Sequence, residues 1–416
     1  MSSPAEPATN GNSVLNGDSS HDGFPGLPPF PDDVPTAPLL RISLAKLLAH
    51  DQDELNAFWK ACCELGFFYI DLRTGSGHDD DIDGEALLQD AEKLFQVQEE
   101  FFGLPVEEKL KYDFKEQGSY FGYKGYGGGL VDKSGTPDRN EFYNTSKDDI
   151  LGLSSPLPAP ENLTQYRPLF ASYMRRSHAV VALVLRILNA RLGLPDGELE
   201  NLHRLNAPSG DQVRFVKAPP QPPRDRRTAL GEHTDFGSVT VLFNRLGGLQ
   251  VRLPSHIRPI GPATSEHSSS SNGDAVNGSV EVGGAAAENW AYVRPLPGHA
   301  IVNLGDAMVK FTAGVLRSNI HRVVNPPGGQ AESTRYSLVY FARPEDEVVL
   351  RALRGGKVVE EAVSKKLGKG EKWEEEEVSS KEWVLRRALG RRGVGSWEKS
   401  EGTEEVSLRK GQDVGA

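Results

Sequence analysis

The chain has 416 residues, 38% hydrophobic and 25% charged, enough apolar material for a large buried core. Its formal net charge of −11 argues against nucleic acid or an anionic membrane surface as a partner. The two cysteines, Cys62 and Cys63, are adjacent, which excludes a disulfide framework and a zinc spacing and suits a reducing compartment.

Residues 1–37 are rich in Ser, Pro, Gly and Asn, with few large apolar groups, so this N-terminal segment is expected to be disordered. It also lacks the basic and apolar regions of a secretory signal. No stretch is long and apolar enough to span a bilayer, so the expected location is cytoplasmic. A short strand is expected at Pro38–Ile42. Asp51 and Glu54 have capping-box-like spacing; Leu55, Phe58, Cys62 and Leu65 then recur at helical spacing, and Gly66 ends the helix. Phe67–Ile70 reads as a buried strand. A second helix is predicted over Gly84–Phe102, stopped by Gly103 and Pro105. The Gly/Tyr-rich run from Gly118 to Gly129 reads as loop. A long helix is predicted from Glu161 to Leu192, with Leu183, Ile187 and Leu188 on one face and Gly193 and Pro195 at its end.

From Val213 the pattern changes to short apolar runs separated by Gly, Pro and Asn: VRFV, SVTVLF, GLQVRL, HAIVNL and RYSLVYFA. Such a series suggests a barrel or jelly roll. It is interrupted by low-complexity sequence at 254–289, read as a flexible insertion. The expected organisation is therefore an α/β N-terminal region at 38–160 and a long helix with a β-core at 161–345. A charged C-terminal extension follows at 346–416, with a helix at Lys381–Leu389. That extension is either solvated surface or, anchored through Trp383 and Trp397, a lid over the barrel mouth.

Three elements carry chemistry. In His233-Thr234-Asp235 the outer residues are two apart, so in an extended segment an imidazole and a carboxylate project to one side and can meet one ion. Alone the tripeptide is weak evidence, since most histidines are not ligands. His321, in Ser318-Asn319-Ile320-His321-Arg322, read alone is an ordinary strand-end histidine. Two histidines and one carboxylate leave three iron positions open, the facial triad of Fe(II) oxygenases; zinc more often takes a fourth protein ligand or one water. Third, alternation from Arg335 places Arg335, Ser337, Val339 and Phe341 on one face of a strand. A buried guanidinium beside a hydroxyl suits a distal carboxylate, although a structural ion pair is the plainer alternative.

Together these segments resemble the 2-oxoglutarate- and Fe(II)-dependent dioxygenase superfamily, in its isopenicillin-N-synthase-like branch, over about residues 38–345. LGFFYI at 65–70 and FFGLPVEEK at 101–109 resemble that branch's N-terminal region. HTDFGSVTVLF, GGLQV, VNLGDAMVKFTAG, SNIHRVVNPP and RYSLVYFARP are similar to its core, in the same order. The resemblance implies a mostly β protein with flanking helices: a double-stranded β-helix (jelly-roll) core preceded by an α/β N-terminal region. It also implies Fe(II) on His233, Asp235 and His321, with 2-oxoglutarate and O2 as co-substrates. Arg335 and Ser337 would hold the far carboxylate of 2-oxoglutarate; Phe341 matches a position that often faces the substrate in relatives and Phe236 lies beside the metal motif, each being either a substrate contact or core. No catalytic residue beyond the metal ligands is implied. The expected reaction decarboxylates 2-oxoglutarate to succinate while a small organic molecule is hydroxylated, desaturated or cyclised, with secondary metabolism as the expected setting. The expected partner is that small-molecule substrate, and the expected state is a monomer.

Two departures stand out. Ala218, in Val216-Lys217-Ala218-Pro219, occupies a place where relatives often carry a Tyr before the proline. The 254–289 insertion is unlike compact members, and its His256 and His267 are expected to be solvated rather than ligands. From sequence alone, a same-fold oxidase that uses no 2-oxoglutarate and a non-catalytic ligand-binding module both remain open.

Overall fold

A computed structural model describes residues 23–73, 82–261, 289–368 and 377–404. Most of the 254–289 insertion, including His267, lies outside them; His256 is exposed. Of the segment expected to be disordered, residues 1–22 also lie outside, but the last part is paired. Thr36 and Ala37 bond the backbone of Ile260 and Tyr292, and Phe30 packs edge-on against Tyr292. Arg294 also pairs with Asp32 and lies over the Phe30 ring, and Gln330 donates to the Pro28 carbonyl, so several contacts offset the polar composition there.

Strand β1 (Arg41–Ser43) runs parallel to β2 (Phe67–Asp71). Of the two helices between them, Leu44–Leu48 and Gln52–Glu64, the second starts where the Asp51 carboxylate accepts the Glu54 N–H at 2.9 Å. Glu54 does not close the box: its own carboxylate accepts the Ser43 N–H at 2.5 Å, tying the helix to β1. Gly66 has φ +65°, and a Cβ there would sit 2.0 Å from the Arg317 carbonyl oxygen, so a side chain is excluded where β2 begins. The helix Gly84–Phe102 has the predicted bounds and packs against the long helix.

Two expectations need correction. The 118–129 run is not all loop, because β3 (Gly122–Lys124) pairs antiparallel with β4 (Glu141–Ser146). Three residues among glycines are too few to show alternation. The helix expected over 161–192 is two, Glu161–Thr164 and Arg167–Leu192. Pro168 has no N–H for the Thr164 carbonyl, and its ring would clash with that carbonyl, so the helix restarts with proline in its first turn.

The remaining strands are β5 (Gln212–Ala218), β6 (Leu230–His233), β7 (Val239–Asn244), β8 (Leu249–Arg252), β9 (Trp290–Tyr292), β10 (His299–Leu304), β11 (His321–Val323) and β12 (Arg335–Ala342). An eight-stranded sheet runs β1-β2-β10-β7-β12-β5-β4-β3, and a four-stranded sheet runs β6-β11-β8-β9. This is the double-stranded β-helix with flanking helices. Period-two alternation divides the work of its strands. Val213 and Phe215 of β5 and Leu338 and Tyr340 of β12 join a core that includes Phe170 and Val181 of the long helix. Their neighbours Arg214, Val216, Ala218, Arg335, Ser337, Val339 and Phe341 turn the other way, into a cavity between the sheets.

The C-terminal extension is structured where it is described. A helix that the sequence reading missed spans Lys357–Gly368, and a second spans Ser380–Gly390, one residue longer at each end than predicted. Trp383 is buried and donates its indole N–H to the Phe236 carbonyl at 3.0 Å, so the second helix lies against the His233–Asp235 segment. No helix among the described residues is long and apolar enough to cross a membrane.

Candidate metal centre

Strand pairing brings the two histidines together. His321 on β11 is the antiparallel partner of His233 at the end of β6, with ring centroids 4.2 Å apart. Asp235 follows two residues later, and its Oδ1 lies 4.0 Å from His233 Nε2 and 3.8 Å from His321 Nε2. One ligand atom from each of the three lies within 4.8 Å of the others, the one such group among the described residues.

Neighbouring groups fix which atoms face inward. His233 Nδ1 is 2.8 Å from the Gly231 carbonyl and His321 Nδ1 is 3.0 Å from the Asn319 carbonyl. A carbonyl only accepts, so each Nδ1 carries a proton, and in the neutral tautomer the lone pair lies on Nε2. Burial, reinforced by His321, pulls the His233 imidazole well below its ordinary value, so it is neutral as a ligand must be. Asp235 is held by its other oxygen: Oδ2 accepts from Thr240 Oγ1 and Asn303 Nδ2, both at 2.6 Å. Burial alone would raise its carboxyl, but the two imidazoles and these hydrogen bonds outweigh it and keep it below the usual range. Two imidazole nitrogens and one carboxylate oxygen, with no fourth protein donor among the described residues, fit Fe(II) with open positions.

The same cavity receives Arg335, Ser337 and Phe341. Arg335 is buried; its Nε donates to the Gly247 carbonyl at 2.7 Å and Nη1 to Ser337 Oγ at 2.6 Å. Gly248 makes this turn with φ +104°, where a Cβ would lie 2.6 Å from the Val324 carbonyl oxygen. No carboxylate among the described residues pairs with Arg335, and burial pulls its guanidinium down to about 10. A structural ion pair, the plainer alternative, is therefore absent there. Ala218 is the cross-strand partner of Arg335 and lines the cavity, so no phenol faces the guanidinium from that position.

A second cavity adjoins the first and shares Arg214, Leu230 and His233 with it. Phe236 is on its wall, whereas Phe341 lies in the first. Ala388, Arg391 and Arg392 of the C-terminal extension close its far side. Sequence reasoning missed the groups that hold these three side chains in place. Alternation could have flagged Thr240 and Asn303 as inward-facing polar residues. Nothing in the sequence links Arg387 to Asp306, 81 residues earlier, yet both are fully buried and bonded to each other. Asp306 also accepts from Thr234 Oγ1 at 2.8 Å, so the extension is tied to the residue between His233 and Asp235.

Residues 37–166 match the N-terminal family described as non-haem dioxygenase in morphine synthesis, and residues 253–344 match the 2OG-Fe(II) oxygenase superfamily. The chain is 34% identical over 350 residues to a 2-oxoglutarate-dependent dioxygenase of Aspergillus fumigatus, covering 83% of this chain and 85% of that one. It belongs to the 2-oxoglutarate- and Fe(II)-dependent dioxygenases. A second dioxygenase of this kind, from Glarea lozoyensis, is 29% identical over 77% of this chain and 84% of its own. Among solved structures, a full-length Neurospora crassa protein crystallised in complex with alpha-KG shares the fold at TM-score 0.62 and 22% identity, over 84% of this chain and 94% of that one. The cofactor and co-substrates of this dioxygenase are accordingly Fe(II), 2-oxoglutarate and O2. The 253–344 match takes in His321, Arg335 and Ser337 but begins after His233 and Asp235.

Proposed function

We propose that this dioxygenase holds Fe(II) on His233, Asp235 and His321, binds the far carboxylate of 2-oxoglutarate on Arg335 and Ser337, and oxidises a small organic molecule admitted from the second cavity. The observation that carries the reading is one cavity holding both a three-ligand group and a buried guanidinium without an acidic partner. Fe(II), when bound, supplies O2-dependent oxidation of the substrate coupled to conversion of 2-oxoglutarate to succinate and CO2.

The protein's own groups prepare that chemistry. The Gly231 and Asn319 carbonyls hold each imidazole proton on Nδ1, and Thr240 with Asn303 leaves only Oδ1 of Asp235 facing the histidines. Arg335 is aimed by the Gly247 carbonyl. Ser337 Oγ accepts from Arg335, which leaves its own proton to donate to a carboxylate. Leu230, Leu242, Leu249 and Val339 give the cavity apolar walls, which strengthens each of these interactions by excluding water.

The test is succinate release together with 2-oxoglutarate binding. Wild type should release succinate with O2 uptake, and Arg335→Gln should weaken 2-oxoglutarate binding by about a hundredfold while Fe(II) still binds. Unchanged 2-oxoglutarate affinity in Arg335→Gln would overturn the anchor assignment.

A further inference from the structure

We infer that the second cavity receives the carboxylate of a small organic acid, and that Arg214 binds it beside His233. This rests on the iron-site reading above and deepens it by naming a substrate class.

Arg214 stands where the two cavities meet, lining both, and points inward on β5 with Val216 and Ala218. Its Nε donates to Oδ1 of Asn144, its cross-strand partner, at 2.7 Å. The guanidinium lies over the Phe142 ring at 4.3 Å and the Phe341 ring at 5.0 Å. No carboxylate among the described residues pairs with it. Burial and the neighbouring Arg343 pull it down to about 9, and the strongest attraction it feels is from Asp235.

The surroundings carry the same sign. The second cavity is lined by Lys124, Arg214, Arg391 and Arg392 against one acid, Asp138, which Lys124 bonds at 2.5 Å. Arg392 reaches away to Asp113 at 2.8 Å. Arg343 stacks near Tyr120 and Phe341, with Nε and Nη1 enclosed and unbonded. A planar, weakly hydrated guanidinium kept apolar on its faces and free at its edge fits a carboxylate, which it can bond with two parallel N–H groups. Tyr120, Leu130, Phe142 and Phe236 on the same walls suit an apolar, planar body for that acid. The plainer role for Arg214 is a spacer stacked between strands; that role needs no anion and predicts no preference for one.

The test uses full-length protein loaded anaerobically with Mn(II) and 2-oxoglutarate. Calorimetric titrations compare benzoate, trans-cinnamate and indole-3-carboxylate with their methyl esters. At least one acid should bind about tenfold or more tighter than its ester, and Arg214→Gln should weaken that acid by about ten- to a hundredfold while leaving the ester unchanged. Arg214→Lys, which keeps the charge but not the fork, should fall between, and it serves if Arg214→Gln folds poorly. Equal binding of acids and esters, no acid binding at all, or an unchanged acid affinity in both variants would overturn the proposal. Failure of the iron and 2-oxoglutarate reading is separately visible, because it would appear as lost metal or 2-oxoglutarate loading before any acid is added.

Discussion

Replacing Arg387 with Met probes how the C-terminal extension supports the metal site. The side chains of Arg387 and Asp306 are both 0% exposed, and they form an ion pair. Arg387 also donates to the Ser400 and Thr234 carbonyls, each at 3.2 Å. In Arg387→Met the aliphatic volume is largely kept, but Asp306 retains only the hydroxyls of Thr234 at 2.8 Å and Thr403 at 2.6 Å as side-chain partners among the described residues. Leaving one buried charge uncompensated costs about 3–5 kcal/mol, a large share of a typical stability of about 5–15 kcal/mol. Urea unfolding followed by circular dichroism and tryptophan fluorescence measures the global part. Amide exchange over residues 380–404 measures any local detachment. Asp306→Asn placed on top of Arg387→Met should recover about 2 kcal/mol, because the orphaned charge is then removed. Thr234 lies between two proposed ligands, so Fe(II) affinity should also fall about tenfold in Arg387→Met. A variant within about 1 kcal/mol of wild type, with unchanged exchange at 380–404, would refute the reasoning.

Three other outcomes follow from single contacts. Asn303→Ala removes one of two donors to Asp235 Oδ2 and should weaken Fe(II) binding about ten- to a hundredfold with little change in melting temperature; unchanged affinity counts against its orienting role. His203 is buried between the Leu199 carbonyl and Ser238 Oγ, and burial pulls its imidazole from 6.5 to about 4. Between those pH values the unfolded chain takes up a proton that the folded chain refuses, so stability falls as pH drops from 6.5 towards 4, by about 3 kcal/mol in total. His203→Gln should flatten that part of the stability–pH curve, and an unchanged slope would show that this group is not responsible. Gly66→Ala should destabilise by about 2 kcal/mol or more, since its Cβ would meet the Arg317 carbonyl oxygen at 2.0 Å in a left-handed backbone; a neutral effect in thermal melting would contradict the contact.

What was legible in the sequence was what is local. The end of the Gly84–Phe102 helix could be bounded because Gly103 and Pro105 follow it directly. The inward face Arg335, Ser337, Val339 and Phe341 followed from alternation along one strand. His233 and Asp235 share a side because Thr234 between them turns away, fully buried, to Asp306. The break at Pro168 was also readable from proline chemistry but was hidden by the strong apolar periodicity after it. What was not legible depends on distant pairing. The histidines face each other only through the register of β6 and β11. Arg214 meets Asn144 only because β4 and β5 are neighbours, and the charged extension carries no mark that Arg387 is its buried anchor. Charge runs usually mean solvated surface, and Arg387 is an exception because its acid partner, Asp306, is already inside the core.

The most direct test of the central claim is anaerobic titration of metal-free protein with Fe(II) in the presence of 2-oxoglutarate, followed by the visible charge-transfer absorption of the complex. Wild type should saturate at one Fe(II) per chain. His233→Ala, Asp235→Ala and His321→Ala should each lose the band while keeping the wild-type circular dichroism spectrum. One-to-one binding with an undiminished band in the folded Asp235→Ala and His321→Ala proteins would show that iron is held elsewhere and would contradict the account.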